Sequence, residues 1–128
     1  MGPPAVGNSI WRIGAAVTSA GPTLRLATDA DLDEITNVMR ASVLALFPLF
    51  YDERQTASAA VFVAHVDPVL VADGTYFVHD VDGEIVACGG WSRRGRLFVG
   101  SDDNPDDDRL LDPATEAAHI RAMFVRPD

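Results

Sequence analysis

The side chains that are able to bind a metal or act as a nucleophile are few in this sequence. His79, Asp80 and Asp82 are metal-ligand types. They flank a predicted turn and alternate between the two faces of a strand, so their side chains diverge and we expect no metal site. Cys88 is the single cysteine and lies inside an apolar run. This position predicts a buried core thiol and excludes a disulfide framework.

A polar segment, residues 93–116, follows that apolar run. It begins with three arginines, Arg93, Arg94 and Arg96. Guanidinium groups bind phosphate, but a surface turn is the interpretation that we favour. Seven acidic residues follow, namely Asp102, Asp103, Asp106, Asp107, Asp108, Asp112 and Glu116. They could attract a cationic amine by their local field, although such clusters are more often simply solvated.

Composition limits the class of protein. The chain has 128 residues, of which 48% are hydrophobic, so one domain with a buried core is expected. A formal net charge of -9 makes nucleic acid and anionic membrane surfaces poor partners. Residues 1–22 are rich in Gly, Pro, Ala and Ser and lack a signal-peptide pattern. We predict a flexible tail there, a folded domain over residues 23–128, no membrane span and a cytoplasmic location.

The first elements are a strand and a helix. Residues 23–27 alternate in polarity as a strand does. Thr28, with Asp31 three residues later, resembles a capping box, and Pro48 marks the end of the helix. Its predicted apolar face consists of Leu32, Ile35, Met39, Val43 and Leu46.

The middle of the sequence predicts a second helix and a hairpin. Asp52 is the expected N-cap of the helix, with Gln55 at its third position, and Asp67-Pro68 is expected to stop it. Two strand-like runs then flank Asp82-Gly83, which suits a tight two-residue turn. In the second run, Gly89-Gly90 suggests a bulge or a close backbone approach. A last strand is predicted over residues 119–125. Helices grouped on one connection of a mostly antiparallel sheet indicate an α+β fold.

Three segments resemble the N-terminal half of the GNAT superfamily of acyl-CoA N-acyltransferases. They read LRLATDADLDEI, YFVHDVDGEIVACGGWS and AHIRAMFVRPD. The first resembles that family's opening strand and helix, the second its second and third strands, and the third its fourth strand. The resemblance covers residues 24–128 and implies the N-terminal half of a GNAT fold. It also implies that the sequence is truncated before the family's pyrophosphate-binding loop.

The resemblance implies acetyl-CoA as the co-substrate and a primary amine as the acceptor. By position, the main-chain groups of Met123, Phe124 and Val125 would bind the pantetheine arm and polarise the acetyl carbonyl. Ordinary ladder hydrogen bonds are the alternative role for these groups. In the family, the segment between the two helices often forms a wall of the acceptor pocket. Here that segment carries Phe47, Phe50 and Tyr51, for which core packing is the alternative.

Glu116 and His119 lie where the family often places a base or a water-holding residue. An imidazole titrates near neutrality, and a glutamate could take the proton if burial raised its pKa. Glu116 is the preferred proton acceptor and His119 its rival. An exposed position at a loop end is the alternative for both.

Two other interpretations compete with an acetyltransferase. The chain could be a non-catalytic half-domain that a partner strand completes, or an unrelated α+β domain with the same order of elements. A free edge along the last strand would invite pairing with another chain. We therefore predict that the isolated chain is marginally stable and able to form homo-oligomers through that edge.

Overall fold

The chain folds around one four-stranded sheet. The structure is a computed structural model and describes residues 21–97 and 108–128. The strands are β1 (Pro22–Leu26), β2 (Tyr76–Val81), β3 (Glu84–Ser92) and β4 (His119–Val125). They lie in the order β1-β2-β3-β4, and each neighbouring pair is antiparallel. The predicted α+β class is confirmed. Pro22, predicted to end the tail, is the first residue of β1, and residues 1–20 lie outside the described residues.

The helices follow β1, as predicted. They are α1 (Leu32–Leu46), α2 (Glu53–Phe62) and α3 (Pro68–Ala72). A 3-10 turn, Asp29–Asp31, precedes α1, and another, Phe47–Leu49, follows it. The predicted capping boxes are both present, at Thr28 with Asp31 and at Asp52 with Gln55. Each box satisfies main-chain N–H groups that have no partner within the helix.

The predicted extent of the second helix is wrong. Helix α2 ends at Phe62, and Asp67-Pro68 begins the short helix α3 instead of stopping α2. The Asp67 carboxylate accepts the Val69 N–H at 3.0 Å. Proline suits the first helical position, because its missing N–H would have no partner there and its φ is already helical. The same dipeptide therefore starts a helix.

The apolar face of α1 packs against one face of the sheet. Ile35, Met39 and Val43 are fully buried on α1. The sheet contributes Tyr76, Val78 and Ile85, which are also inaccessible to solvent. Leu46, predicted on the same face, is 43% exposed because α1 ends there and the chain turns away. Cys88 is buried in this core, as predicted.

The opposite face of the sheet is apolar and uncovered in the described part of the chain. Its exposed side chains include Leu24, Leu26, Trp91, Ile120, Met123 and Val125. Strand β4 lies at one edge of the sheet, with no strand beyond it among residues 21–97 and 108–128. The predicted free edge is therefore confirmed for the described residues.

The turn and the polar segment follow the sequence closely. Asp82 and Gly83 both have positive φ, 56° and 88°, as the predicted two-residue hairpin turn requires. Residues 98–107, with four of the seven acids, lie outside the described residues. The two ends of the segment meet, because Arg94 forms an antiparallel bridge with Leu110. The predicted irregular loop is thus anchored at its base.

Candidate functional site

The site begins at a bulge in β4. Cys88 on β3 pairs with Phe124, whereas Gly90, two residues on, pairs with Arg121. Two residues of β4, Ala122 and Met123, therefore oppose the single residue Gly89. Such an extra residue bends a strand and disturbs the ladder locally. The extra residue therefore lies on β4, opposite the glycine pair, whereas the sequence suggested a bulge or a close backbone approach in β3 itself.

Ala122 has a left-handed backbone at this bulge. Its φ is 51°, a region in which a residue with a side chain costs about 1–2 kcal/mol. The Tyr76 hydroxyl donates a hydrogen bond to the Ala122 carbonyl at 2.6 Å. Tyr76 is fully buried, and burial raises the pKa of its phenol. The hydroxyl therefore stays protonated and remains a donor.

Glycine at position 90 lets Tyr76 reach the bulge. Gly90 is the cross-strand neighbour of Tyr76. A Cβ at Gly90 would lie 2.2 Å from the Thr75 carbonyl oxygen and 2.9 Å from the Tyr76 ring. A Cβ at Gly89 would meet the Met123 side chain at 2.9 Å. The glycine pair therefore accommodates the tyrosine on one side and the bulge on the other.

Main-chain groups of β4 face the free edge beyond the bulge. The Arg126 N–H donates to the Val86 carbonyl of β3 at 2.8 Å. Because successive N–H groups of a strand point to opposite sides, the Val125 N–H points to the free edge. Met123 and Val125 are exposed, at 70% and 62%, whereas Phe124 packs against the core. Of the three residues predicted to bind a cofactor, Met123 and Val125 thus lie exposed at the free edge, whereas the N–H of Phe124 points toward β3 by the same alternation.

Glu116 is bound to groups of the polar segment. It forms two hydrogen bonds with Arg109, at 2.9 and 3.0 Å, and accepts the Asp112 N–H. The Arg109 guanidinium and that N–H lower the pKa of the exposed Glu116 carboxyl to about 2. The raised pKa on which its predicted role as a base depended is not found. A carboxylate with so low a pKa is a poor proton acceptor near neutrality.

His119 is the first residue of β4 and pairs with Ser92. It is partly buried, and its Nδ1 atom is buried without a hydrogen-bond partner among the described residues. It lies three positions before Ala122, about 10 Å along a strand. His119 would therefore reach a molecule at the bulge through water.

The aromatic residues after α1 are only partly grouped. The rings of Phe47 and Tyr51 lie 5.1 Å apart at 43°, and both line an open cavity of about 590 Å³. Phe47 also packs against the core. Phe50 is 81% exposed and does not line this cavity. Two of the three predicted acceptor-wall residues thus border one concave surface.

A second cavity, which the sequence did not predict, adjoins the bulge. It measures about 390 Å³ and is lined by Phe62, Val63, His65, Leu97 and β4 residues 121–124. Val63 also lines the first cavity, so the two concave surfaces meet at this residue. Arg121 is almost completely buried there. It pairs with Asp67 at 3.3 Å and donates to the Arg96 carbonyl at 3.1 Å. The sequence could not reveal this burial, because an arginine at the same position of an exposed strand would look the same.

The arginines that follow β3 form ion pairs within the fold. Arg94 binds Asp73 through two hydrogen bonds at 2.7 and 2.8 Å, and Arg93 lies 3.6 Å from the same carboxylate. Arg96 pairs with Asp108 at 3.2 Å. In the part of the chain that the structure covers, no group of three or more His, Cys, Asp or Glu side chains could hold a metal ion. Within the same ranges, no helix is both long and apolar enough to cross a membrane.

Comparisons with known proteins identify the fold. No protein-family model matches the sequence. No curated protein matches it either. The crystal structure of PaiA N-acetyltransferase from Thermoplasma acidophilum, in complex with coenzyme A, superposes with a TM-score of 0.54 at 12% identity. The superposition covers 84% of this chain and 60% of that one.

The described residues have the GNAT N-acetyltransferase fold. A GCN5-related N-acetyltransferase from Kribbella flavida was also found, with 22% identity and a TM-score of 0.44, over 88% of this chain and 23% of that one. The chain thus spans less than two thirds of either protein. The resemblance of the three sequence segments to the GNAT fold is confirmed by the structural likeness to PaiA.

The sequence missed two parts of the site in this GNAT fold. It gave no signal that Ala122 adopts a left-handed backbone, because alanine is ordinarily extended in a strand. It also did not single out Tyr76, whose pattern is that of a strand residue facing the core. The available signal was Gly90, since a glycine in a strand often marks a close approach.

Proposed function

We propose that this chain forms the acetyl-CoA-binding part of an N-acetyltransferase that acetylates a primary amine of a small molecule or peptide. The observation that carries the proposal is the free edge of β4, along which the Val125 N–H points outward just beyond the bulge. The PaiA protein, whose fold the chain shares, was crystallised with coenzyme A. Because the chain spans 60% of that protein, the activity proposed is that of the whole enzyme.

The edge of β4 fits the pantetheine arm by its hydrogen-bonding pattern. An extended molecule with amide groups can add to an exposed strand edge as another strand would. Met123 and Val125 would provide main-chain groups for this pairing, and Phe124 between them would hold the strand against β3. The exposed Met123 and Val125 side chains would pack beside the arm.

The chemistry requires little more than positioning. The neutral amine nitrogen would form the new C–N bond with the thioester carbonyl carbon of acetyl-CoA, and the C–S bond would then break. The departing thiolate would take up the proton that the acylated nitrogen loses, which gives the amide and the free thiol. Main-chain N–H groups near the bulge would donate to the thioester carbonyl, where negative charge develops. We assign removal of the ammonium proton to His119 acting through water. Glu116, already ionised and paired with Arg109, would hold that water or orient the segment.

The acceptor would lie in the concave surface that Phe47 and Tyr51 border. Their rings offer an apolar wall, and Phe50 would contact the acceptor only if it moved from its exposed position. Asp52 and Arg54 also line this cavity. The surface therefore suits an amine with an apolar body and a polar end.

A main-chain substitution tests the cofactor site. Val125→Pro removes the N–H that faces the free edge, and an edge strand tolerates proline at such a position. Val125→Ala retains that N–H and reports the contribution of the side chain alone. Calorimetric titration with acetyl-CoA should give an affinity at least about tenfold lower for the proline variant than for the alanine variant, the loss of one hydrogen bond. Equal affinities would contradict binding along this edge.

The proton acceptor is tested by replacing His119 and Glu116 with glutamine, singly and together. Turnover is measured with a panel of primary amines. The His119→Gln variant should lose turnover while its affinity for acetyl-CoA is retained. A double variant that still transfers acetyl groups at the original rate would remove both residues from the mechanism.

The uncovered sheet face supports a second candidate function. Leu24, Trp91 and Ile120 are exposed on that face, beside the free edge of β4. The chain could be a non-catalytic module that pairs with another strand, including that of a second copy. Sedimentation velocity distinguishes the two candidates: this one requires association at micromolar concentration together with no binding of acetyl-CoA.

A further inference from the structure

We propose that Tyr76 is the positioning residue of this site: its hydroxyl holds the Ala122 carbonyl and so fixes the bulge that directs the β4 main chain. Its part in catalysis rests on the proposed function, whereas its hold on the bulge does not. Tyr76 is not a catalytic residue in the sense of touching a substrate, because it is completely buried.

The Tyr76 side chain spans β3 and places its hydroxyl at the Ala122 carbonyl. Tyr76 lies on β2 and Ala122 on β4, so β3 runs between them. Neighbouring strands are about 4.8 Å apart, which makes the separation about 9.6 Å. The Tyr76 side chain and its hydrogen bond of 2.6 Å together cover this distance only if the ring lies across β3. Gly90, its neighbour on β3, leaves the space, since a Cβ there would lie 2.9 Å from the ring.

The bulge needs such a support. Ala122 has the left-handed φ of 51° that residues with side chains avoid. Strained backbone of this kind persists when surrounding contacts determine it. The bond of 2.6 Å from Tyr76 acts on the carbonyl of the strained residue itself. An extended Ala122 would rotate that carbonyl away and leave the buried hydroxyl without its acceptor.

The consequence for the site follows from the register. Below the bulge Arg121 pairs with Gly90, and above it Phe124 pairs with Cys88. If Ala122 became extended, the extra residue would move along the strand and the alternation of inward and outward groups would shift. A shift of one residue exchanges the two sides of a strand. The N–H groups that face the free edge would then change identity.

The test compares two variants that lose similar stability for different reasons. Tyr76→Phe removes one buried hydrogen bond and keeps the ring. Ile85→Val removes one methyl group from the core, at a site on β3 that lies outside the bulge. Backbone amide hydrogen exchange by NMR is measured for the 128-residue chain at Phe124 and Arg126, whose N–H groups face β3 beside the bulge, together with the affinity for acetyl-CoA.

We expect Tyr76→Phe to speed exchange at the Phe124 and Arg126 amides by about tenfold relative to Ile85→Val, the effect of one hydrogen bond on a local opening. Acetyl-CoA affinity should fall with it, although the buried side chain touches no ligand. Equal exchange in the two variants would overturn the positioning role. If the wild-type chain binds no acetyl-CoA, the proposed function fails, and the exchange data still decide whether Tyr76 holds the bulge.

Discussion

Replacing Gly90 with alanine should lower the free energy of unfolding far more than replacing Gly89 with alanine. A Cβ at Gly90 would lie 2.2 Å from the Thr75 carbonyl oxygen and 2.8 Å from the Tyr76 Cα. Both atoms belong to the backbone, one in β2 and one in the residue just before it, so no side-chain rotation relieves the contact. Strands β2 and β3 would have to separate by about 1 Å, because such carbon–oxygen contacts are ordinarily about 3.3 Å or longer.

The magnitude follows from what the separation breaks. The Trp91 N–H donates to the Thr75 carbonyl at 3.1 Å, beside the clash. Losing this bond and a neighbouring ladder bond costs about 1–3 kcal/mol, and overpacking adds about 1–3 kcal/mol. We expect Gly90→Ala to lower the unfolding free energy by about 2–6 kcal/mol. That is a large part of the roughly 5–15 kcal/mol of a typical domain.

Gly89→Ala is the matched control, because it makes the same chemical change one residue away. Its Cβ would meet the Cγ of Met123 at 2.9 Å, and Met123 is a flexible, largely exposed side chain. The expected loss is below about 1 kcal/mol. Urea unfolding followed by far-ultraviolet circular dichroism gives both values. Midpoints that agree between the two variants would refute the close approach of Tyr76 to Gly90.

Three further predictions concern charged groups. Arg121→Ala should lower the free energy of unfolding by about 3 kcal/mol in chemical denaturation, because it leaves the buried Asp67 carboxylate without its main partner. The double variant Arg121→Met with Asp67→Asn removes both charges and should lose less. The Arg25 guanidinium lowers the pKa of the Asp31 carboxyl from 3.8 to about 2, so stability present above pH 4 should fall by about 1 kcal/mol, after allowance for solvent screening, as the pH approaches 2. Thermal unfolding of Asp31→Asn should lack this part of the acid dependence, and an unchanged pH profile would contradict the pair. Asp52→Ala should cost about 1 kcal/mol through its lost capping box, measured as a shift in the unfolding midpoint.

Local signals predicted the elements that depend on a few neighbouring residues. The capping boxes at Thr28 and Asp52, the turn at Asp82-Gly83 and the close backbone approach at Gly90 all follow from short-range rules of backbone geometry and hydrogen bonding. The end of α2 was mispredicted, because Asp67-Pro68 is compatible with stopping one helix and with starting another. Only the packing of α3 against the sheet decides between these.

Long-range contacts decided the state of the candidate groups. The predicted role of Glu116 depended on burial, but Arg109, seven residues earlier, folds back onto it and lowers its pKa. Buried Arg121 pairs with Asp67, which lies 54 residues before it. Neither pairing leaves a pattern in a single sequence, since both carboxylates and guanidinium groups are ordinarily found at the surface.

By itself, the sequence determined the order of strands and helices, the apolar face of α1 and the tight turn, because each depends on periodicity and on residues a few positions apart. It also carried the resemblance to the GNAT fold. The tertiary structure alone decided that Ala122 is left-handed, that Tyr76 reaches it across Gly90, and that the extra residue of the bulge lies on β4. These features depend on three strands meeting in one register, and that register is set by the packing of the whole sheet.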